Sequence, residues 1–338
     1  MNIYDISTQA GVSIATVSRV LNGSDKVSSA TRQKVLNIIE KNGYTPNAFA
    51  RSLCLNTMST VGILCSDASD VYQSQVIYFL ERELRKHSYT SMLCCTGHNL
   101  QEKKEYLKLL LSRNVDALIF IGSHFIEASG KGNSYILDAA RKIPVFLLNG
   151  KLDGENIYSI LCDDESASRD ITDLLFDRGC TAPIYLYRIL TYSCRRKIRG
   201  FCHSVREHGI DDTKKLAYSC PGSVEKTCRI LEVVRESGVF FDAVVAADDE
   251  LAAGAVKYAI RNGFQIPADF QVAGYNNSVL SACSSPEITT LDNRVEFMSI
   301  TAVSHIIQVL QGKNVPSKMI YSGQIVEKET TRKKDLNL

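Results

Sequence analysis

No run of apolar residues in this 338-residue chain approaches the roughly 18 that a membrane-spanning helix needs. Residues 1–7 have neither the basic start nor the apolar stretch of a secretory signal peptide. We therefore expect a cytoplasmic protein with no membrane partner. Apolar residues make up 45% and charged residues 22% of the chain, which is typical of a folded globular protein and excludes wholesale disorder.

The motifs of common enzyme classes and metal sites are also missing. The eleven cysteines form no C-x-x-C pair, and the six histidines have no metal-ligand spacing. The chain contains no G-x-G-x-x-G after a predicted strand, no G-x-S-x-G and no H-E-x-x-H. We expect reduced thiols, no metal, no cofactor and no catalytic residue. For the adjacent Cys94 and Cys95, packing inside a strand is favoured over redox switching.

The charge of the chain is small but unevenly distributed. The net charge of +2 gives no global sign of a nucleic-acid partner. Residues 1–58, however, carry a net charge of +3, and the other 280 residues carry −1. The length predicts about two domains, and the modest basic excess belongs to one end.

Residues 3–10 and 14–22 have the pattern of two short helices joined by a tight turn. Gly11 can adopt the left-handed conformation that ends a helix, and Ser13 is a suitable N-cap for the next one. The outer face of the second helix is small or polar, and Arg19 on it can reach base edges or phosphates. The pattern predicts a DNA-binding helix-turn-helix, with a plain helical subdomain as the alternative.

A third helix and a short conditional helix follow. Ser28 is the expected N-cap of the third helix, which ends at Gly43. Pro46 is a helix-start signal, and residues 47–53 are too few to form a helix that is stable alone. Leu53 suits insertion into a minor groove as an apolar wedge. The alternative for this segment is a plain linker.

A longer set of residues in this region matches a known pattern over about 55 positions without a gap. It comprises Asp5-Ile6-Ser7, Ala10-Gly11-Val12-Ser13, Ala15 to Gly23, Val27-Ser28, Thr31-Arg32, Val35, Gly43-Tyr44, Pro46-Asn47, Ala50-Arg51 and Leu53. The set resembles the headpiece of the lactose-repressor (LacI/GalR) family of bacterial transcriptional regulators.

The resemblance implies a repressor that binds double-stranded DNA as a homodimer. The second helix would read the major groove of a palindromic operator, and paired hinge helices would enter the minor groove at its centre. The positions that the resemblance assigns to DNA contact are Tyr4, Ser13, Ile14, Ala15, Thr16, Ser18, Arg19, Asn22, Lys26, Asn47, Ala50 and Leu53.

From Val61 onward, short apolar runs alternate with amphipathic stretches, as in parallel sheets with crossover helices. A first series of strands is predicted at 61–65, 91–95, 117–121 and 144–148, and a second at 157–161, 184–187, 216–219, 243–247 and 271–274. Helices are predicted at 72–87, 100–113, 165–178, 195–208, 223–237 and 249–262. Two series predict two doubly wound lobes with a ligand cleft at the carboxyl ends of their strands.

The predicted fold is therefore an all-α helix-turn-helix headpiece followed by an α/β sensor of two doubly wound parallel-sheet lobes. The lobes resemble periplasmic sugar-binding proteins. The predicted boundaries are 1–45 for the headpiece, 46–58 for the hinge helix and linker, and 59–338 for the effector-binding and dimerisation domain. Within that domain, lobe one is placed at about 59–156 and 289–316, and lobe two at about 157–288 and 317–332.

The resemblance also implies a small-molecule effector, most simply a sugar or sugar derivative. Lys197 stands where the family usually has arginine, and the adjacent Arg196 could substitute for it. Asn276 replaces an acidic residue, which would favour an anionic or amide-bearing ligand. For Asp248 and Asp249, helix capping is as good an interpretation as ligand contact. The predicted effector-binding residues are Tyr72, Gln73, Asn149, Arg196, Lys197, Asp248 and Asn276.

The interpretation that these features favour is an effector-controlled DNA-binding regulator that is not an enzyme. No leucine heptad tail follows residue 326, so a dimer is expected rather than a tetramer held by a coiled coil. The alternatives are a sugar-binding protein without a regulatory role and a sugar-processing enzyme.

Overall fold

The structure, a computed structural model, describes residues 2–21, 24–43, 57–127 and 129–333. The chain divides into two compact units. The first holds residues 1–60 with 114–116, and the second holds 61–113 and 117–338.

The described residues of the headpiece form three helices, as predicted. They are α1 (Ile3–Ala10), α2 (Ile14–Leu21) and α3 (Ser29–Lys41). Each buries one apolar face in a common core, because its apolar side chains recur at helical spacing. The fully buried members of that core are Ile6, Ala10, Val17, Val20 and Val35.

The ends of these helices follow the predicted local chemistry. Gly11 ends α1 in the left-handed conformation, at a φ of 64°. The hydroxyl of Ser13 accepts a hydrogen bond from the backbone N–H of Thr16, and the hydroxyl of Ser28 accepts one from Thr31. The predicted helix over 46–53 lies outside the described residues.

The first sheet contains six described strands in the order β11-β5-β4-β3-β1-β2. Their apolar side chains are buried against α4 (Val71–Lys86) and α12 (Val295–Leu310), as in sheets covered by crossover helices. The strands are β1 (Thr60–Cys65), β2 (Thr90–Cys95), β3 (Ala117–Ile121), β4 (Val145–Leu148), β5 (Ile157–Cys162) and β11 (Lys318–Tyr321). The other helices of this lobe are α5 (Leu100–Ser112) and α6 (Ser134–Ala140).

The second sheet also contains six described strands, in the order β12-β10-β9-β8-β6-β7. Its pairings are parallel except for that between β10 and β12, which is antiparallel. The strands are β6 (Pro183–Tyr187), β7 (Ala217–Ser219), β8 (Ala243–Ala246), β9 (Gln271–Tyr275), β10 (Thr289–Asp292) and β12 (Gln324–Val326). Its helices are α7 (Asp164–Asp177), α8 (Tyr192–Glu207), α9 (Val224–Glu236), α10 (Asp249–Arg261) and α11 (Val279–Cys283).

The predicted division of strands between the lobes is wrong at three places. Strand β5, placed at the start of lobe two, pairs with β4 in the first sheet. Strand β10, placed in lobe one, pairs with β9 in the second sheet, and β11, placed in lobe two, pairs with β5 in the first. The chain therefore crosses between lobes after β5, β10 and β11. Apolar runs reveal strands, but they do not encode which neighbour each strand pairs with.

Helices α7 and α8 pack unusually closely in lobe two. A Cβ atom built on Gly200 would lie 2.0 Å from the carbonyl oxygen of Glu165. Glycine at this position therefore sets the separation of the two helices.

Candidate functional site

The headpiece presents one face of α2 to solvent. Val17 and Val20 on the inner face are 0% and 4% exposed, whereas Ile14, Ala15 and Arg19 are exposed. Since the inner side chains hold the helix against α1 and α3, the outer face is free to enter a groove.

The other predicted DNA contacts in the headpiece surround this face. The hydroxyls of Ser13 and Thr16 are hydrogen-bonded to each other at 2.9 Å, at the start of α2. Tyr4 is 65% exposed and Lys26 is exposed, while Ser18 is half-buried. The predicted contacts Asn22, Asn47, Ala50 and Leu53 lie outside the described residues.

A cavity of about 390 Å³ lies between the two lobes, at the carboxyl ends of the strands. This is the position at which doubly wound folds bind ligands. Six of the seven predicted effector residues line it: Tyr72, Gln73, Asn149, Lys197, Asp248 and Asn276.

Several of these side chains are already hydrogen-bonded within the wall. The amide oxygen of Gln73 accepts from the backbone N–H of Ser66 at 2.8 Å. Asn149 donates to the hydroxyl of Tyr72 at 2.8 Å and accepts from the backbone N–H of Cys162 at 2.9 Å. Burial raises the pKa of Tyr72, so its hydroxyl stays protonated. These residues shape the wall as much as they offer groups to a ligand.

Lys197 and Arg196 differ in their position relative to the cavity, because Lys197 lines it and Arg196 does not. The Lys197 ammonium donates to the carbonyl oxygen of Ala247 at 2.9 Å and lies 3.3 Å from the ring centroid of Tyr275. Arg196 does not line the cavity, because its guanidinium donates to the carboxylate of Asp163 at 2.8 Å. The suggestion that Arg196 substitutes for a ligand-binding arginine is therefore wrong.

The consecutive residues Asp248 and Asp249 also differ in their position relative to the cavity. Asp248 caps α10 by accepting from the backbone N–H of Leu251, and it lines the cavity as well. Asp249 is buried outside the cavity lining, where it accepts from the hydroxyl of Thr290 at 2.5 Å and from the backbone N–H of Ser278. Burial raises the pKa of Asp249 above its usual value. Capping and ligand access are thus compatible for Asp248.

The cavity contains polar residues that sequence reasoning missed. Asp70, His98, His124 and Arg188 all line it. His98, His124 and Arg188 come directly or within a few residues after β2, β3 and β6, and Asp70 lies in the loop after β1. The carboxyl ends of parallel strands meet at one edge, so a search of the residues following each predicted strand would have found them.

The electrostatics of these residues are set by burial and by local pairs. Arg188 donates to Asp248 at 2.8 Å and to the carbonyl oxygen of Gly222, and it forms an ion pair with Glu250. Burial lowers the pKa of His124 to about 3, so this imidazole is neutral at physiological pH. Its Nε2 atom is buried and has no hydrogen-bond partner among the described residues.

Burial raises the pKa of Asp70, and the nearby Asp248 adds to the rise.

In the described parts of the chain, no helix is long and apolar enough to cross a membrane. The same parts contain no group of three or more His, Cys, Asp or Glu side chains arranged to hold a metal ion.

Two family descriptions match separate parts of the chain. Residues 2–47 match "Bacterial regulatory proteins, lacI family", and residues 172–331 match "Periplasmic binding protein-like domain". An HTH-type transcriptional regulator of Lachnoclostridium phytofermentans is 46% identical over 331 residues, which cover 98% of this chain and 99% of that protein.

Solved structures share the fold over nearly the whole length. A lac repressor dimer bound to operator and the anti-inducer ONPF superimposes with a TM-score of 0.89 at 23% identity, covering 98% of this chain and 99% of that one. The complex of the transcriptional regulator CelR with cellobiose has a TM-score of 0.71 at 20% identity, with the same coverage. These likenesses confirm the predicted headpiece and two-lobed α/β architecture.

Proposed function

Because this chain belongs to the lacI family of bacterial regulatory proteins and is thus a DNA-binding transcriptional regulator, we propose that it represses transcription as a homodimer on a palindromic operator. The observation that carries the proposal is the solvent-exposed outer face of α2, with Ile14, Ala15 and Arg19 on it. One headpiece makes too few contacts for tight binding, and a twofold dimer doubles them on a twofold site.

Phosphate attraction alone does not account for this function. The first 58 residues carry +3, so a dimer presents only about +6 to the DNA. Specificity must then rest on groove contacts and on DNA bending. Selection of bound fragments from a random duplex library tests the proposal. A homodimer on a palindromic operator predicts that the selected fragments share an inverted repeat. A direct repeat, or the lack of any consensus, would contradict the proposal.

We further propose that the cavity binds a neutral, hydroxyl-rich effector, a saccharide or close derivative. Both cationic side chains of the described lining, Arg188 and Lys197, are already paired with protein groups. A phosphate or carboxylate would have to share these cations with their present partners, two of which are the carboxylates of Asp248 and Glu250, so the anionic ligand suggested by Asn276 is disfavoured. The carboxylate oxygens of Asp67 and Asp70 suit hydroxyl groups. The cellobiose bound to CelR is a ligand of this class.

Effector binding would control DNA affinity through the predicted hinge and linker, residues 46–58, which connect the headpiece to the effector-binding domain. Only its last residues are described: the carboxylate of Asp116 accepts from the hydroxyl of Thr57 and from the backbone N–H groups of Met58 and Thr60. The end of the predicted hinge is therefore anchored. A change in lobe geometry would alter hinge spacing, and couplings of this kind are typically about 1–3 kcal/mol.

Replacing Asp70 by asparagine is expected to weaken saccharide binding roughly fivefold, because a hydrogen bond to a carboxylate is worth about 1 kcal/mol more than one to a neutral oxygen. Asparagine keeps the N-cap that Asp70 provides to α4 through the backbone N–H of Gln73. A panel of sugars and sugar phosphates is first screened for binding to the wild type. Isothermal titration calorimetry then compares the affinities of the wild type and the variant for the saccharide found in this screen. The exposed Asp138→Asn is the control and should bind like the wild type. Binding of phosphorylated sugars alone would contradict a neutral effector.

Leu53→Ala is expected to weaken operator binding by tenfold or more, because it removes the apolar wedge proposed to enter the minor groove. Saccharide affinity should not change, since Leu53 belongs to the predicted hinge and the residues proposed to bind the saccharide belong to the two lobes. Electrophoretic mobility shift with the selected operator measures the first effect and calorimetry the second. Unchanged operator affinity would show that Leu53 does not act as a minor-groove wedge.

A further inference from the structure

Strands β1 and β2 each end in a cysteine, and the two thiols meet across the strands. The Sγ atoms of Cys65 and Cys95 lie 3.4 Å apart. The backbone N–H of Thr96 donates to the carbonyl oxygen of Cys65, so the two cysteines are side-by-side neighbours in the sheet. Adjacent strands are about 4.7–4.9 Å apart, a spacing within the range of Cα separations that a disulfide spans.

The two thiols differ in accessibility. Cys65 belongs to the buried core of the first lobe, whereas Cys95 is exposed on the edge strand β2. The core role predicted for the pair Cys94 and Cys95 therefore holds for Cys94, which is buried, and is wrong for Cys95. Burial, with a further contribution from Cys95, raises the pKa of Cys65 to about 12. An oxidant in solution reaches Cys95 first.

Acidic side chains near Cys95 determine which oxidants can approach it. Cys95 opens into a surface groove of about 450 Å³ whose lining includes the carboxylates of Glu102 and Glu105. Two acidic side chains disfavour the approach of an anionic oxidant such as a glutathione disulfide. An uncharged peroxide carries no such penalty.

We propose that Cys65 and Cys95 form a redox-modification site at which hydrogen peroxide generates an intrachain disulfide. The sulfur of Cys95 attacks one peroxide oxygen and the O–O bond breaks. Water is released, and Cys95 becomes a sulfenic acid. The sulfur of Cys65 then attacks the Cys95 sulfur, the S–O bond breaks, and a second water leaves. Two thiols lose two electrons and two protons in total, and one peroxide is reduced to two waters.

The disulfide would join two strand ends that lead into the inter-lobe cavity. Ser66 and Asp67 directly follow Cys65, His98 lies three residues after Cys95, and all three line the cavity. Bond formation draws the sulfur atoms from 3.4 Å to about 2.05 Å, which fixes these strand ends to each other. Peroxide would therefore stiffen one wall of the cavity. The site itself stands whether or not a saccharide binds there.

The test is peptide mass mapping of the full-length chain after peroxide treatment and alkylation without reductant. We expect a cross-link between the peptides that contain Cys65 and Cys95, with the loss of two hydrogens and reversal by dithiothreitol. Cys95→Ser and Cys65→Ala should abolish it, and the second variant keeps an apolar side chain in the core. Cys94→Ser, which changes the adjacent thiol of the same strand, should retain it.

Hydrogen–deuterium exchange supplies the second readout. Exchange over residues 61–75 and 90–98 should slow after oxidation of the wild type and stay unchanged in Cys95→Ser. A bond between Cys94 and Cys95, a bond between Cys95 residues of two chains, or oxidised Cys95 beside an alkylated Cys65 would each overturn the proposal.

Discussion

Arg19→Ala is expected to weaken operator binding by about 2–6 kcal/mol, because a bidentate contact with a base is worth about 1–3 kcal/mol and a dimer makes it twice. Arg19 is exposed on α2, whose inner residues Val17 and Val20 are buried. Truncation at Arg19 therefore leaves the headpiece core unchanged. Fluorescence anisotropy with the selected operator at fixed salt measures the loss.

A second variant separates base reading from charge. Lys41→Ala also removes one positive charge from an exposed side chain of the headpiece, at the end of α3. If Arg19 reads a base, Arg19→Ala loses much more affinity than Lys41→Ala on the operator, and the two are similar on unrelated DNA. Equal losses on both DNAs would assign Arg19 to phosphate attraction.

Gly200→Ala is expected to destabilise the α/β unit by about 3 kcal/mol, at the upper end for overpacking. The new Cβ would lie 2.0 Å from the carbonyl oxygen of Glu165 and 3.0 Å from the backbone nitrogen of Arg169. Both are backbone atoms of α7, so the helices must separate for the methyl group to fit. Thermal unfolding followed by circular dichroism should show a midpoint lowered by about 6–10 °C.

Gly130→Ala is the matched control for this prediction. A Cβ on Gly130 meets no atom of the described residues within 4 Å, and the residue has no left-handed backbone. Alanine there should leave stability unchanged or raise it slightly, by less than about 1 kcal/mol. If Gly200→Ala also left the midpoint unchanged, close packing between α7 and α8 would not matter for stability.

Local features of the headpiece could be predicted because each depends on a few neighbouring residues. Gly11, Ser13 and Ser28 act within one turn of the helix that they end or begin, and the structure confirms all three. The assignment of β5, β10 and β11 to lobes failed because periodicity does not record which strand pairs with which. Strand β5 pairs with the preceding β4 and β10 with the preceding β9, whereas β11 pairs with β5, more than 100 residues earlier.

The cavity shows the same contrast between position and contact. The resemblance placed Asn149 and Lys197 correctly at its wall: Asn149 directly follows β4, and Lys197 lies inside α8. Their partners could not be predicted. Asn149 is hydrogen-bonded to Tyr72, and the Lys197 ammonium lies over the ring of Tyr275 on β9. Arg188, directly after β6, was missed as well, although it forms an ion pair with Asp248 after β8.

We propose above that a saccharide in the inter-lobe cavity controls the affinity of the headpiece for DNA. The most direct test of this proposal is operator affinity of the full-length chain, measured by anisotropy with and without a saturating concentration of the selected saccharide. A coupling of about 1–3 kcal/mol predicts a change of roughly 5- to 150-fold in the wild type. In Asp70→Asn the same change should require a higher saccharide concentration. A saccharide that binds the protein by calorimetry and leaves operator affinity unchanged would contradict the claim.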